Sequence, residues 1–120
     1  MDVVQQLLQT LGPDCVWLPE KAAQRLSSNW VNPEPLQCRA LVLPRTTAEV
    51  AEILKICHAA QQAVVPHGGL TNIVGGVQTC ADEIALSLER LNQIESIDPI
   101  NHTITVQSGV VLQPLQEQLR

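Results

Sequence analysis

Apolar positions along the chain follow two rhythms, and the changes between them mark out its elements. Residues 3–11 place Val3, Val4, Leu7, Leu8 and Leu11 on one side of a helix, and Gly12-Pro13 stops it. Residues 13–39 carry Pro13, Pro19, Pro33 and Pro35 and read as largely irregular, with one short helical turn over 21–26. Ala40-Leu41-Val42-Leu43 is a continuous apolar run closed by Pro44, the pattern of a buried strand. Thr46 and Glu49 then stand at the N-cap and third helical position of a capping box. Val50, Ile53, Leu54 and Cys57 follow at i, i+3, i+4 and i+7, which predicts one apolar stripe. Ala63-Val64-Val65 is a second short strand ending at Pro66, so residues 40–66 predict a strand, a helix and a parallel strand. Ile84–Leu88 is a further strand, 91–97 a turn and short extended piece, and 98–101 a turn. Thr103–Gln107 alternates and is rich in β-branched residues, and Ser108-Gly109 closes it. Val111, Leu112, Leu115 and Leu119 open a last helix, with Pro114 tolerated in its first turn.

The segment that carries chemistry is Pro66-His67-Gly68-Gly69-Leu70-Thr71-Asn72-Ile73-Val74-Gly75-Gly76. Its two glycine pairs directly follow a strand. Without a Cβ the backbone turns freely and approaches a ligand closely, and successive N–H groups can hold an anion with no cationic side chain. Thr71 adds a hydroxyl. No Lys is present, so neither GxxxxGK[ST] nor GxGxxG describes the stretch. A site without a local cation suits a diphosphate that stays bound. From pattern alone, an anion cradle and a bare turn between strands remain equally open. His67 either donates to the ligand or caps the loop, and its place before the first glycine pair favours the ligand.

Composition narrows the function classes. The chain has 120 residues, 45% apolar and 16% charged, enough for one modest core. Seven Lys+Arg against twelve Asp+Glu leave a net charge of -5, which argues against a nucleic-acid partner. The two Trp residues are the only aromatics and read as core or interface anchors. No apolar run approaches the length of about 18 residues that a membrane span needs. The first segment carries Asp2 instead of an early positive charge and does not read as a signal peptide, which makes a cytoplasmic setting the default expectation. Cys15, Cys38, Cys57 and Cys80 show no metal-ligand spacing and read as small buried hydrophobes. No metal site and no catalytic residue is assigned. His58 and His102 read as exposed, Glu49 as a cap, and Asp82-Glu83 as a solvated turn.

Four ordered segments resemble the FAD-binding domain of FAD-linked oxidases of the vanillyl-alcohol oxidase / p-cresol methylhydroxylase type. Within that group the chain is most similar to the branch that oxidises D-lactate, glycolate and D-2-hydroxyglutarate. Pro44–Val50 resembles the family's strand-to-helix entry and Val65–Gly76 its pyrophosphate loop. Leu86–Ile94 resembles the strand and turn that follow, and Thr105–Val110 the next strand with its glycine turn. His67 stands where Arg or Gln is more usual, Leu70 where Gly or Asn is common, and Asn29-Trp30 where Asp-Trp is frequent.

The resemblance implies an α+β fold. Residues 1–39 would be a helix and irregular lead-in, and 40–120 the N-terminal α/β subdomain of the FAD-binding domain plus the start of a β-rich second subdomain, with the substrate domain absent. It implies FAD as cofactor, contacted by Pro66, His67, Gly68, Gly69, Leu70, Thr71, Asn72, Gly75 and Gly76. Some members attach the flavin through a His at the position of Leu70, so non-covalent binding is expected here. The intact enzyme would oxidise a small D-2-hydroxy acid by hydride transfer to FAD, while this chain alone would be inactive. The alternative is a non-catalytic truncated module or a nucleotide-binding or interaction remnant. An unfinished second subdomain would leave apolar surface open and favour self-association.

Overall fold

The computed structural model describes residues 2–28, 33–71 and 75–119. Four helices and six strands follow in the order α1 (Val3–Leu11), β1 (Val16–Trp17), α2 (Pro19–Ala22), β2 (Ala40–Val42), α3 (Thr47–Ala59), β3 (Val64–His67), β4 (Ile84–Ser87), β5 (Ile94–Asp98), β6 (Thr103–Val106) and α4 (Leu112–Gln118). The class is α+β, as the sequence implies. The strands form a four-stranded sheet in the order β1-β2-β4-β3 and a separate β5-β6 ribbon. In the sheet β2 and β3 both run parallel to β4, while β1 is antiparallel to β2 with Val16 opposite Val42. The two strands of the strand–helix–strand unit are thus parallel, but β4 lies between them.

Both faces of the sheet are covered, which is why β2 and β4 read as unbroken apolar runs. Ala40 and Val42 of β2 face a cluster with Val3 and Leu7 of α1, Ile53 and Cys57 of α3, and Ile84 and Leu86 of β4. Leu41 and Leu43 face the other way, onto Ala22, Leu36, Cys38 and Ala85, with Trp17 packed beside them. Alternation along β2 therefore feeds two cores, one under α1 and α3 and one under the lead-in segment.

Helix α3 starts as its sequence predicts. The Thr46 hydroxyl accepts the Glu49 N–H at 3.1 Å. The Glu49 carboxylate reaches back to the Arg45 N–H at 2.9 Å and to its guanidinium at 3.1 Å. The side-chain bond from Arg45 holds Glu49 below its ordinary pKa, against the opposing effect of its partial burial. The expected stripe is corrected at Leu54, which is 47% exposed. The sheet takes Ile53, Cys57 and Ile56 instead, so the buried face is rotated away from Leu54. The helix closes with Gln61 at φ +53°, while the Gln62 N–H bonds to the Cys57 carbonyl at 2.8 Å and the Gln61 N–H to that of His58 at 3.0 Å. This is the two-bond terminus that usually places glycine where Gln61 stands.

The lead-in departs further from expectation. A strand, β1, appears at Val16–Trp17, and the short helix begins at Pro19, two residues earlier than expected. Lys21 and Arg25 sit over the Trp17 ring at 4.3 and 4.6 Å. Arg25 also pairs with Glu89 at 2.5 Å, so Glu89 bonds across the fold as well as standing beside Arg90. Trp30, the other expected anchor, lies outside the described residues. Cys15, Cys38 and Cys57 are buried as expected, and desolvation pushes the Cys38 thiol up to about 11. Cys80 is a correction: it is exposed on a turn, where its N–H bonds to the Glu83 carboxylate at 2.7 Å.

Beyond β4 the burial falls away. Ile97 is 56% exposed, Ile100 87%, Val111 66% and Leu112 65%, while Leu115 of α4 is buried. Among the described residues, no helix is long and apolar enough to cross a membrane.

Candidate functional site

Strand β3 delivers the glycine-rich loop. It is an edge strand, so Pro66 can occupy its ladder opposite Leu86 without costing a central hydrogen bond. Its last residue, His67, accepts the Leu88 N–H on its carbonyl at 3.1 Å, which ties the loop's entry to the end of β4. The chain then bends outward through Gly68 and Gly69. Leu70 takes φ +61° and Gly75 φ +77°, both left-handed. At Gly75 glycine explains itself, whereas Leu70 holds a conformation that costs a side-chain-bearing residue about 1 kcal/mol or more. The place where the family commonly has Gly or Asn is thus one where the backbone asks for them.

Open room stands over the first glycine pair. A Cβ placed on Gly68 would meet nothing within 4 Å, and one on Gly69 only the Thr71 methyl at 3.9 Å. No packing within the described residues requires glycine at 68 or 69. Gly68, Gly69, Thr71 and Gly76 are exposed, as is Pro66, while Leu70 and Gly75 are half-buried. An exposed turn with open space and no cation can receive a phosphate group on backbone N–H donors. Asn72 lies outside the described residues, as do residues 73 and 74.

His67 faces inward. It is 3% exposed, and its Nε2 lies 2.9 Å from the Thr79 hydroxyl. Thr79 in turn donates to the Val77 carbonyl at 3.0 Å. A hydroxyl has one proton to give, so the imidazole is the donor and carries its hydrogen on Nε2. Burial holds the ring below its ordinary pKa, the Val77 carbonyl opposes that, and the positive charge of Arg25 reinforces it. The sequence gives no sign of Thr79, which lies twelve residues from His67 and in no motif. Beside it a cleft of about 330 Å³ opens between the return of the loop and the lead-in, lined in part by Ser27, Glu34, Gly75 and Gln78.

The remaining candidates are dispersed. His58 and His102 are exposed, His102 with φ +55° in the turn before β6. The Glu83 carboxylate fixes the turn at Cys80, and Glu49 caps α3. Among the described residues, no three His, Cys, Asp or Glu side chains gather where they could hold a metal ion. The arrangement can bind an anion and orient it. The one hydroxyl–imidazole contact described above, Thr79 with His67, spends its hydroxyl proton on the Val77 carbonyl.

Comparison with known proteins gives the chain's family and fold. Residues 38–120 match the family described as FAD binding domain. The chain is 39% identical over 89 residues to D-2-hydroxyglutarate dehydrogenase, mitochondrial, of Bos taurus, covering 74% of this chain and 16% of that protein. It is 38% identical over 114 residues to a glycolate oxidase subunit of Bacillus subtilis, covering 92% of this chain and 23% of that one. The chain thus spans about a fifth of the length of these relatives. Its fold is that of p-cresol methylhydroxylase over 98% of the chain and 24% of that enzyme, with a TM-score of 0.72 at 20% identity. One expectation is overturned. The bovine relative is named as mitochondrial, which points to the mitochondrion and away from the cytoplasm. The absence of an early positive charge was a poor guide to this.

Proposed function

The chain belongs to the FAD binding domain family and its cofactor is FAD, and on that premise we propose that it is the cofactor-holding part of a flavin-dependent D-2-hydroxy acid dehydrogenase or oxidase. The observation that carries the proposal is the unfilled space over Gly68 and Gly69 in an exposed loop. The FAD diphosphate lies there. Backbone N–H groups of Gly68, Gly69, Leu70, Thr71, Asn72, Gly75 and Gly76 serve as donors, and Pro66 and His67 set the loop's entry. Bound FAD supplies the hydride acceptor for oxidation of the hydroxy acid. The residues of this chain bind and orient, and none of them moves the substrate proton. The names of the bovine and Bacillus subtilis relatives support a 2-hydroxy acid substrate.

Two further parts belong to the same reading. FAD is held without a covalent bond, because Leu70 offers no nucleophile where some relatives carry a His. Residues 1–39 are lead-in, 40–120 are part of the FAD-binding domain, and the groups that hold the substrate lie outside these 120 residues. The test sets the chain beside a longer relative, the glycolate oxidase subunit of Bacillus subtilis. Both should bind FAD, and acid denaturation should release it into the supernatant. Only the longer protein should bleach its flavin anaerobically with D-lactate, glycolate or D-2-hydroxyglutarate. Turnover by the 120-residue chain, or flavin that stays with the denatured chain, contradicts the reading.

A further inference from the structure

Gly68, Gly69, Thr71 and Gly76 of the glycine loop are exposed, yet both of its feet are buried. His67, where the loop leaves β3, is 3% exposed, and Val77, where it returns, is 7% exposed. The buried ends are joined by side chains. The His67 Nε2–H donates to Thr79 at 2.9 Å and Thr79 donates to the Val77 carbonyl at 3.0 Å. His67 is therefore buried and connected through Thr79 to the far foot of its own loop.

We propose that His67 and Thr79 form a clasp that holds the glycine loop in its ligand-ready shape, which makes His67 a positioning residue for the cofactor. The consequence for FAD rests on the reading that this loop carries the diphosphate. An exposed loop whose feet drift must be ordered when the anion binds, and that ordering subtracts from affinity. A loop clasped beforehand presents its N–H groups at no such cost. The role needs a donor that reaches Thr79 and needs no positive charge. A glutamine at 67 meets that requirement.

The test separates the clasp from the cofactor. Backbone order parameters of residues 68–71 and 75–78 are measured in the full chain without ligand, and FAD affinity is measured beside them. In His67→Leu and Thr79→Val these order parameters should fall from about 0.85 to below about 0.6. FAD binding should weaken about fivefold in His67→Leu, as expected for one lost hydrogen bond, and at least as much in Thr79→Val, which also loses the bond to the Val77 carbonyl. The double variant should be no worse than Thr79→Val alone, and His67→Gln should recover most of the affinity lost in His67→Leu. A purely structural His67 would lower the melting temperature without this shared, non-additive loss. Order parameters that stay high in both apolar variants overturn the clasp, whatever FAD does. A wild-type chain that ignores FAD overturns the cofactor reading and leaves the order parameters to judge the clasp. If an apolar variant fails to fold, imidazole nitrogen shifts of the wild type decide, since the clasp requires the hydrogen on Nε2 and a ring with its hydrogen on Nδ1 overturns it.

Discussion

Two glycine turns of this chain use the missing Cβ in opposite ways. Gly109, between β6 and α4, is pressed against the turn that follows β4. A Cβ there would collide with the Leu88 carbonyl oxygen and sit 2.7 Å from that of Leu91, whose carbonyl accepts the Gly109 N–H. Gly68 and Gly69 have nothing comparable above them. The first glycine is required by the chain's own backbone, and its role is to fix where α4 begins. The second pair has no such requirement among the described residues, which is the room the proposed diphosphate site uses. A glycine in a sequence points to function only when the structure shows its space left open.

The contrast can be broken by substitution. Gly109→Ala should cost about 3 kcal/mol in urea unfolding, because two fixed carbonyls must move. A loss below about 1 kcal/mol would mean that the turn yields freely and that the two glycine sites are alike. Gly75→Ala should cost about 1 kcal/mol, from its left-handed φ of +77° alone. Leu70→Gly should return a similar amount, since Leu70 holds φ +61° with a side chain. Unchanged stability in Leu70→Gly would show that the loop carries no backbone strain. The smallest change is expected from Gly68→Ala, within about 0.5 kcal/mol, as suits an exposed site with room.

A pH titration sharpens the account of the loop's foot. Unfolded, His67 takes a proton near its ordinary 6.5; folded, burial and the charge of Arg25 lower that value against the pull of the Val77 carbonyl. Glu89, paired with Arg25 at 2.5 Å, and Arg90 beside it are the other charged groups at this end of β4. Between the two values the unfolded chain binds more protons. The contribution is therefore fully present above pH 6.5 and is lost as pH falls through the folded value. His67→Gln should flatten the stability profile in that window only. The lowered carboxyls of Glu49 and Glu89 act below their ordinary 4.5 and should remain. A slope that survives His67→Gln would place its origin elsewhere.

What the sequence disclosed follows from how local each feature is. β2 and β4 were readable because both faces of the sheet are covered, and α3 because Thr46 and Glu49 cap it within one turn. β1 was not, since two residues in a proline-rich stretch become a strand only by pairing with Val42 and Leu41 far along the chain. The stripe on α3 was legible as a stripe, but which edge of it meets the sheet depends on packing, and Leu54 fell outside. The glycine loop stood out by composition. Its clasp did not, because nothing near Thr79 marks it as the partner of His67.

The central claim, that the space over Gly68 and Gly69 belongs to the FAD diphosphate, is tested most directly by flavin retained per chain after desalting in wild type, Gly69→Val and His67→Gln, with far-UV circular dichroism to confirm folding. The valine side chain enters open space, so Gly69→Val should stay folded while its FAD affinity falls about a hundredfold or more. His67→Gln should keep its flavin. A folded Gly69→Val that retains flavin, beside a His67→Gln that loses it, would contradict the amide cradle and move the site to side chains.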